Sequence, residues 1–312
     1  MQPIKLSLLA SAVAVSAAAA QAGEIAVIVK TTNSNFWQNV NRGAETAIGA
    51  QSDHTFTFDG PAAESAVADQ VSMVENAINR GVAGIVLAPS DPDALVPVVK
   101  RAHEAAIPVV IIDSLLAEAG AGTYQAFLST DNCAAGQAVA ERMLSKTGPD
   151  GKVAVMSYVA GVGSEIGRVG CFIEYLNEKS NIEIVGPLYS QSQMATALNQ
   201  TTDTLAANPD LVGIFGANEP TAVGMGRALI QAGKAGELVA MGFDGNEDLQ
   251  QFVRDGVLEA TAVQGSFAMG ELGVNTVIDV INGQAVGEFI DTGVVLVDKD
   301  NIDSDEAQAV LY

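Results

Sequence analysis

The sequence predicts an α/β fold made of two lobes, each a doubly wound parallel sheet with helices on both faces. Short apolar runs alternate with helical stretches of about 12 to 18 residues along most of the chain. Some runs are apolar throughout, such as Gly-Ile-Val-Leu-Ala at 84–88 and Val-Val-Ile-Ile at 109–112, as expected for strands that are covered on both faces. This alternation predicts parallel sheets with right-handed crossovers.

The division into two lobes is predicted by an internal repetition. Residues 84–113 and 213–244 each run from an apolar strand through a polar turn with proline and a helix to a strand that ends in aspartate. One such resemblance between two segments could arise by chance. Because the two segments match both where they begin and where they end, we favour two lobes of similar construction.

The individual elements follow from the same periodicity. Strands are predicted at 24–29, 55–58, 84–88, 108–112, 125–129, 152–158, 182–189, 211–215, 237–243, 259–263 and 288–297. The polar stretch 31–40 leads into a helix-like segment, and further helices are predicted at 64–80, 91–106, 132–146, 166–179, 193–207, 220–233 and 267–282.

Residues 1–22 have the pattern of a secretory signal peptide. Lys5 precedes the uncharged apolar stretch 6–20, and Ala20-Gln21-Ala22 is an A-x-A cleavage site. The stretch is too short and too rich in small residues for a membrane anchor, and no cysteine follows that could carry a lipid. We expect an exported, soluble protein that begins at Gly23 and resides in the periplasm.

The acidic composition excludes several kinds of partner. The net charge is −22, with an isoelectric point near 4.2, so the surface repels phosphate backbones and anionic lipids. We expect no nucleic-acid binding and a neutral ligand, because only a local basic pocket would favour an anion. The roughly 290 residues after the signal peptide suit two lobes.

The sequence contains no sign of an enzyme or a cofactor. It lacks a G-x-S-x-G elbow, a P-loop and an H-E-x-x-H motif, and the isolated His54 and His103 predict no metal site. Cys133 and Cys171 either form a disulfide in an oxidising compartment or are two buried small side chains. We expect no catalytic residues, no metal and no cofactor, with glycoside hydrolysis by Asp113 and Asp244 as a distant alternative.

Polar side chains follow the predicted strands, where ligands bind in open α/β sheets. A cleft between facing lobes would collect them. They lie at 33–37 and at Ser90, Asp91, Asp113, Ser114, Asn218, Glu219 and Asp244.

Phe36 and Trp37 are unusual in so polar a loop, because the chain has one tryptophan and only 5% aromatic residues. One interpretation is a hydrophobic staple that holds the start of the helix. The other is a platform that stacks on the C–H face of a sugar ring while neighbouring amides and hydroxyls bind its oxygens. The polar neighbours favour the platform.

A structural and a ligand-binding interpretation are also open for Asp113, Asp244 and Arg168. An aspartate between a strand and a helix is often an N-cap, but in a closed cleft it can accept two ligand hydroxyls. Arg168 is either a solvated charge on a helix or a guanidinium that binds vicinal hydroxyls. We predict ligand contact for all three.

With these features together, the chain resembles the periplasmic ribose-binding-type proteins, the sugar receptors of ABC importers. The resemblance extends over essentially the whole chain after residue 22. Its motifs lie at 28–37, 84–91, 107–114 (IPVVIIDS), 129–136 (STDNCAAG), 217–224 (ANEPTAVG), 239–246 (VAMGFDGN) and 260–264 (ATAVQ).

The resemblance implies a set of ligand-binding residues. These are Asn33 or Ser34, the stacking pair Phe36 and Trp37, Asp113, Arg168, Asn218, Asp244 and Gln264. Ser114 replaces the family's arginine, and Ser190 to Gln193 replaces its second-lobe aromatic, so that Gln193 is the predicted residue there. A neutral ligand other than ribose is expected, such as another pentose, a hexose or a sugar alcohol.

The resemblance also implies a three-segment hinge near 129–131, 264–266 and 291–293. The N-terminal lobe would comprise 23–129 and 266–291, and the C-terminal lobe 130–265 and 292–312. A monomer that delivers its ligand to a membrane permease is expected. The alternative is a receptor that presents a sugar or autoinducer to a chemoreceptor or sensor kinase without transport. Sugar-responsive repressors share the fold but carry a DNA-binding segment in place of the signal peptide.

Overall fold

The computed structural model describes residues 23–50 and 53–312, so the predicted signal peptide lies outside the described residues. These form two six-stranded sheets with helices on both faces, which confirms the predicted fold class. The strands are β1 (Glu24–Ile28), β2 (Thr55–Asp59), β3 (Gly84–Leu87), β4 (Val109–Ile112), β5 (Ala126–Ser129), β6 (Asp150–Ser157), β7 (Asn181–Tyr189), β8 (Leu211–Gly216), β9 (Val239–Phe243), β10 (Ala260–Gln264), β11 (Phe289–Asp291) and β12 (Val294–Asp298). The helices are α1 (Asn35–Gly49), α2 (Val67–Arg80), α3 (Val96–Glu104), α4 (Asn132–Thr147), α5 (Gly163–Lys179), α6 (Met194–Ala207), α7 (Glu219–Gln231), α8 (Glu247–Asp255), α9 (Ser266–Ile281) and α10 (Asp305–Gln308).

The first sheet has the strand order β11-β5-β4-β3-β1-β2 and is parallel throughout. Its central strands are fully buried, as their uninterrupted apolar sequences require. Helices α1 and α9 cover one face and α2 and α3 cover the other.

The second sheet has the order β12-β10-β9-β8-β6-β7. Helices α4 and α5 pack on one face, and α6, α7 and α8 pack on the other. The prediction of purely parallel sheets is wrong at one edge, because β12 runs antiparallel to β10. The chain enters this edge strand directly from the other sheet, without the crossover helix that a parallel strand needs.

The chain passes between the two sheets at three places. Strand β5 ends at Ser129 and α4 packs on the second sheet, whereas β10 ends at Gln264 and α9 packs on the first. Strands β11 and β12 are separated only by Thr292 and Gly293. We propose these segments as the lobe boundaries, with 23–129 and 266–291 in the first lobe and 130–265 and 292–312 in the second.

Two predicted elements differ clearly from the structure, and helices α8 and α10 were not predicted. The strand predicted at 288–297 is two strands in different sheets, because Gly293, at φ +80°, turns the chain between them. The helix predicted at 91–106 begins only at Val96, since the Asp91 side chain accepts the N–H groups of Asp93 and Ala94 in a turn. Helix α8 was not predicted, because its nine residues are too few for a clear periodicity.

Cys133 of α4 and Cys171 of α5 form a disulfide, with their Cα atoms 5.2 Å apart. This decides between the two alternatives that the sequence left open. The bond joins neighbouring helices on one face of the second sheet. In the ranges 23–50 and 53–312, no helix is both long and apolar enough to span a bilayer.

The contact between α1 and α9 permits a direct test of helix packing. A Cβ atom added at Gly270 would overlap the carbonyl oxygen of Val40, whereas one added at Gly170, on the exposed face of α5, would meet open space. We expect Gly270→Ala to lower the free energy of unfolding by about 1–3 kcal/mol. Gly170→Ala should leave it unchanged or raise it slightly, because alanine favours the helix. Urea unfolding measures both, and equal effects would contradict the close approach of α1 and α9.

Candidate functional site

The carboxyl ends of the strands in both sheets surround one cavity between the lobes. Parallel strands place their polar ends at the same sheet edge, which is where the sequence predicted a site. The empty space between its walls is about 320 Å³, a figure that includes space open to solvent. Its lining is Lys30, Ser34, Phe36, Trp37, Glu64, Asp113, Tyr158, Ser164, Arg168, Asn218, Glu219, Pro220, Asp244 and Gln264.

The first turn of α1 brings the aromatic pair to the cavity. Ser34 is the N-cap, and its hydroxyl accepts the N–H of Trp37 at 3.4 Å. The rings of Phe36 and Trp37 meet edge to face with centroids 4.8 Å apart. Both rings line the cavity and also belong to the first-lobe core, so the two interpretations of the pair are compatible.

The tryptophan ring is held from its polar edge as well. Nε1 of Trp37 donates to Oε1 of Glu64 at 3.1 Å. A buried indole N–H needs such a partner. The ring is therefore fixed by packing on one side and by a carboxylate on the other.

Asp113 follows β4 and is paired with a cation that the sequence analysis did not single out. Nζ of Lys30, just beyond the end of β1, donates to Oδ2 of Asp113 at 2.5 Å and to Oγ of Ser114 at 2.7 Å. All three side chains are buried. Lys30 thus supplies a positive charge beside Ser114, at the position where the resemblance implies that an arginine has been replaced.

Asp244 follows β9 in the second lobe, and its backbone has the same conformation as that of Asp113. Asp113 and Asp244 both adopt the left-handed conformation, with φ of 62° and 78°, which is uncommon outside glycine. The carbonyl oxygen of each accepts a hydroxyl at 2.7 Å, from Ser129 in one lobe and from Thr261 in the other. The repetition seen in the sequence therefore extends to the hydrogen bonds.

Neither aspartate caps the helix that follows it in the chain. Helix α8 is capped by Asn246, and the Oδ2 atom of Asp244 instead accepts the backbone N–H of Glu219, at the start of α7, at 2.8 Å. Its Oδ1 atom accepts Nε2 of Gln264 at 2.8 Å. The N-cap alternative for Asp113 and Asp244 is thus wrong, because their carboxylates accept hydrogen bonds from Lys30 and from Glu219 and Gln264 instead.

Arg168 is a buried cation and not a solvated charge on a helix face. Its Nε and Nη2 atoms donate to Oδ1 of Asn132, and Nη1 donates to the carbonyl oxygen of Ala217 at 2.7 Å. Nη2 also donates to Oε1 of Gln264 at 3.1 Å. The guanidinium lies 3.6 Å from the centroid of the Phe243 ring, a stacking position that favours a cation.

Eight of the twelve predicted site residues line the cavity, and four do not. Asn33 and Gln193 are exposed and lie at a neighbouring recess between the lobes. Ser114 lies behind the cavity, bonded to Lys30 and Asp113. Ser90 is buried, and its backbone N–H donates to Gln70 at 2.8 Å.

Six residues that line the cavity were not predicted to bind the ligand, although some of them stand at strand ends. Lys30 and Tyr158 follow strands β1 and β6, so the strand-end rule would have selected them. Glu219 was among the polar residues at the strand ends but was not predicted to contact the ligand. Glu64 is brought in by the loop between β2 and α2, for which the sequence carries no signal. The complete set is Lys30, Glu64, Tyr158, Ser164, Glu219 and Pro220.

Hydrogen bonds join the two lobes around the cavity. The carboxylate of Glu219, on α7, accepts the backbone N–H groups of Asn35 and Phe36 at 3.0 and 2.8 Å. Oγ of Ser192 donates to Oε2 of Glu64 at 2.6 Å. The backbone N–H of Ser164 donates to Oγ of Ser114 at 3.2 Å. The cleft is therefore closed.

The electrostatics of the cavity favour a neutral ligand. Lys30 and Arg168 face four carboxylates, those of Glu64, Asp113, Glu219 and Asp244. Burial, together with the nearby Asp244, raises the pKa of Glu219 to about 7. Burial also raises the pKa of Asp244 to about 6, against the lowering effect of Arg168. Within the described ranges, no cluster of His, Cys, Asp and Glu has the arrangement of a metal site.

Comparisons with known proteins give consistent matches. Residues 25–285 match a family model described as periplasmic binding protein domain. The D-allose-binding periplasmic protein of Escherichia coli (strain K12) is 30% identical over 270 residues, which are 85% of this chain and 86% of that protein. The ribose import binding protein of Salmonella typhimurium is 30% identical over 287 residues, covering 90% of this chain and 94% of that one.

Solved structures agree with these relatives. An ABC transporter solute binding protein from Agrobacterium vitis with bound D-fucose is 69% identical, with a TM-score of 0.93 over 93% of this chain and 100% of that chain. A carbohydrate transporter solute binding protein from Agrobacterium radiobacter in complex with D-arabinose is 31% identical, with a TM-score of 0.88 over 93% and 99% of the two chains.

The raised pKa of Glu219 predicts a specific pH dependence of stability. Protonation is favoured in the folded state, so the contribution of Glu219 to stability is complete below pH about 4.5 and is lost as the pH rises through 7. Glu219→Gln stays neutral throughout. As the pH rises from 4.5 to 8, the free energy of unfolding of the wild type should therefore fall, relative to that of Glu219→Gln, by on the order of 3 kcal/mol.

Urea unfolding of both proteins across this range measures the difference. Glu247→Gln, the same change at an exposed position in the first turn of α8, is the control and should follow the wild type. A constant difference between Glu219→Gln and the wild type would show that Glu219 titrates as an ordinary carboxyl group.

Proposed function

The chain belongs to the periplasmic binding protein domain family, and we propose that it is the solute-binding protein of an ABC importer for a neutral monosaccharide. The observation that carries the proposal is a cavity between the closed lobes that is lined by an aromatic pair from one lobe and by carboxylates from both. Phe36 and Trp37 come from the first lobe, Asp113 from its sheet edge and Asp244 from the second lobe.

Each part of the cavity matches a feature of a sugar. An aromatic face buries the C–H groups of a pyranose ring, whereas carboxylates accept its hydroxyl protons. Lys30, Arg168, Asn218 and Gln264 carry N–H donors for the hydroxyl oxygens. The relative with 69% identity holds D-fucose, so D-fucose is our first candidate and a sugar alcohol the second.

Binding and closure are proposed to be coupled through the hinge. The ligand enters an open cleft, contacts one lobe and gains bonds from the other on closure. Only contacts that exist in the closed state drive this equilibrium. Micromolar affinity corresponds to about −8 kcal/mol, which several hydrogen bonds and an aromatic face can supply after ordering costs.

The remaining roles follow from the family. Its members bind solutes and do not transform them, so we propose no catalytic activity and no cofactor. We propose a monomer in the periplasm, exported by the signal peptide 1–22, that delivers its ligand to a membrane permease. A receptor that presents the sugar to a chemoreceptor or sensor kinase is the alternative. An adjacent permease gene would favour import, and an adjacent sensor gene the alternative.

A thermal-shift screen tests the class of ligand. We expect D-fucose or another neutral sugar or sugar alcohol to raise the melting temperature, because ligand bound only to the folded state stabilises it by mass action. The panel should contain sugar acids and sugar phosphates at the same concentrations. Stabilisation by acids or phosphates alone would refute a neutral ligand.

Substitution of the strand-end carboxylates tests the site. Asp113→Asn and Asp244→Asn should each weaken sugar binding at least about tenfold, because each removes a charged acceptor whose hydrogen bonds contribute about 1.5–3 kcal/mol. Isothermal titration calorimetry measures the affinity. Asp93→Asn, at an exposed position near the same sheet edge, is the matched control, and equal affinities of all three variants would remove the aspartates from the site.

A further inference from the structure

The first turn of α1 lacks a negative charge of its own. A helix N-terminus carries unpaired N–H groups and a partial positive charge, which an acidic residue in the first turn usually complements. Helix α1 has no acidic residue there. Ser34 accepts the N–H of Trp37, which leaves the N–H groups of Asn35 and Phe36 to find acceptors elsewhere.

The missing acceptor comes from the other lobe. The two oxygens of the Glu219 carboxylate each accept one of these N–H groups, at 3.0 Å from Asn35 and 2.8 Å from Phe36. Only 5% of Glu219 is exposed. Because α1 and α7 lie in different lobes, both bonds exist only while the cleft is closed.

Two neighbours fix the position of Glu219. Its backbone N–H donates to Oδ2 of Asp244, and the hydroxyl of Tyr312 donates to its Oε2 atom at 3.1 Å. The backbone of Tyr312 is bonded to Gly245 in the second lobe, whereas its ring packs on the first-lobe core. A continuous chain of contacts therefore runs from Asp244 through Glu219 to Phe36.

We propose that Glu219 is a positioning residue that holds the closed state by capping α1 across the cleft. This role rests on the proposed function, since it links the aromatic pair of the first lobe to the carboxylate of the second around a bound sugar. Tyr312 keeps the carboxylate in place. Glu219 acts on the lifetime of the complex, because its bonds to α1 form after the ligand has entered and must break before it leaves.

The lifetime of the complex tests the role. Glu219→Gln replaces one acceptor oxygen by an NH₂ group that faces a backbone N–H donor, so we expect dissociation of D-fucose to become about tenfold faster or more. The association rate should change less than about threefold, because encounter takes place in the open cleft. Trp37 is the only tryptophan and lines the cavity, so stopped-flow tryptophan fluorescence reports both rates.

Two further variants separate positioning from general damage. Tyr312→Phe keeps the ring and removes only the hydroxyl, and it should accelerate dissociation in the same direction by a smaller factor. Glu247→Gln repeats the glutamate change at the exposed start of α8 and should leave both rates as in the wild type. A change in association alone, or equal dissociation rates in Glu219→Gln and the wild type, would overturn the role of Glu219.

The two proposals fail in different ways. If D-fucose does not bind the wild type, the first-candidate sugar is wrong, and the same rates are measured with the compound that gives the largest thermal shift. A sugar that binds the wild type, with unchanged dissociation from Glu219→Gln, leaves the proposed function intact and removes the capping role.

Discussion

The site depends on one constraint, the meeting of two sheet edges across a cleft. Every parallel strand delivers the side chains that follow it to the same edge, and three passages of the chain keep the two edges face to face. Asp113 and Asp244 occupy equivalent places at these edges, each with a left-handed backbone and with a carbonyl oxygen that accepts a side-chain hydroxyl. The cavity is therefore lined by two related halves.

Residues that line the cavity also belong to the hydrophobic cores of the lobes or pack against them. Phe36 and Trp37 line the cavity and pack in the first-lobe core, and Arg168 lies on the ring of Phe243, a residue of the second-lobe core. Residues fixed in this way lose little freedom when a ligand arrives, which reduces the ordering cost of binding.

The carboxylates of the cavity are partly compensated, since Lys30 and Arg168 face four of them. Lys30 is bonded to Asp113, and Arg168 lowers the pKa of Asp244, whereas burial raises it. The carboxylate of Glu219 faces the positive N-terminal end of α1, a helix of the opposite lobe. A neutral ligand with many hydroxyls fits these alternating donors and acceptors better than an anion does.

The sequence by itself determined the fold class and most strand ends, because an apolar run and the polar residue after it are local patterns. Asp113, Asp244 and Asn218 were recognised in this way. The tertiary structure alone decided the pairing of Cys133 with Cys171, the split of the last predicted strand and the partners of each charge. Lys30, Glu64 and Glu219 act through residues that are remote in sequence, and the distance between two such side chains is set only when the lobes have folded and closed.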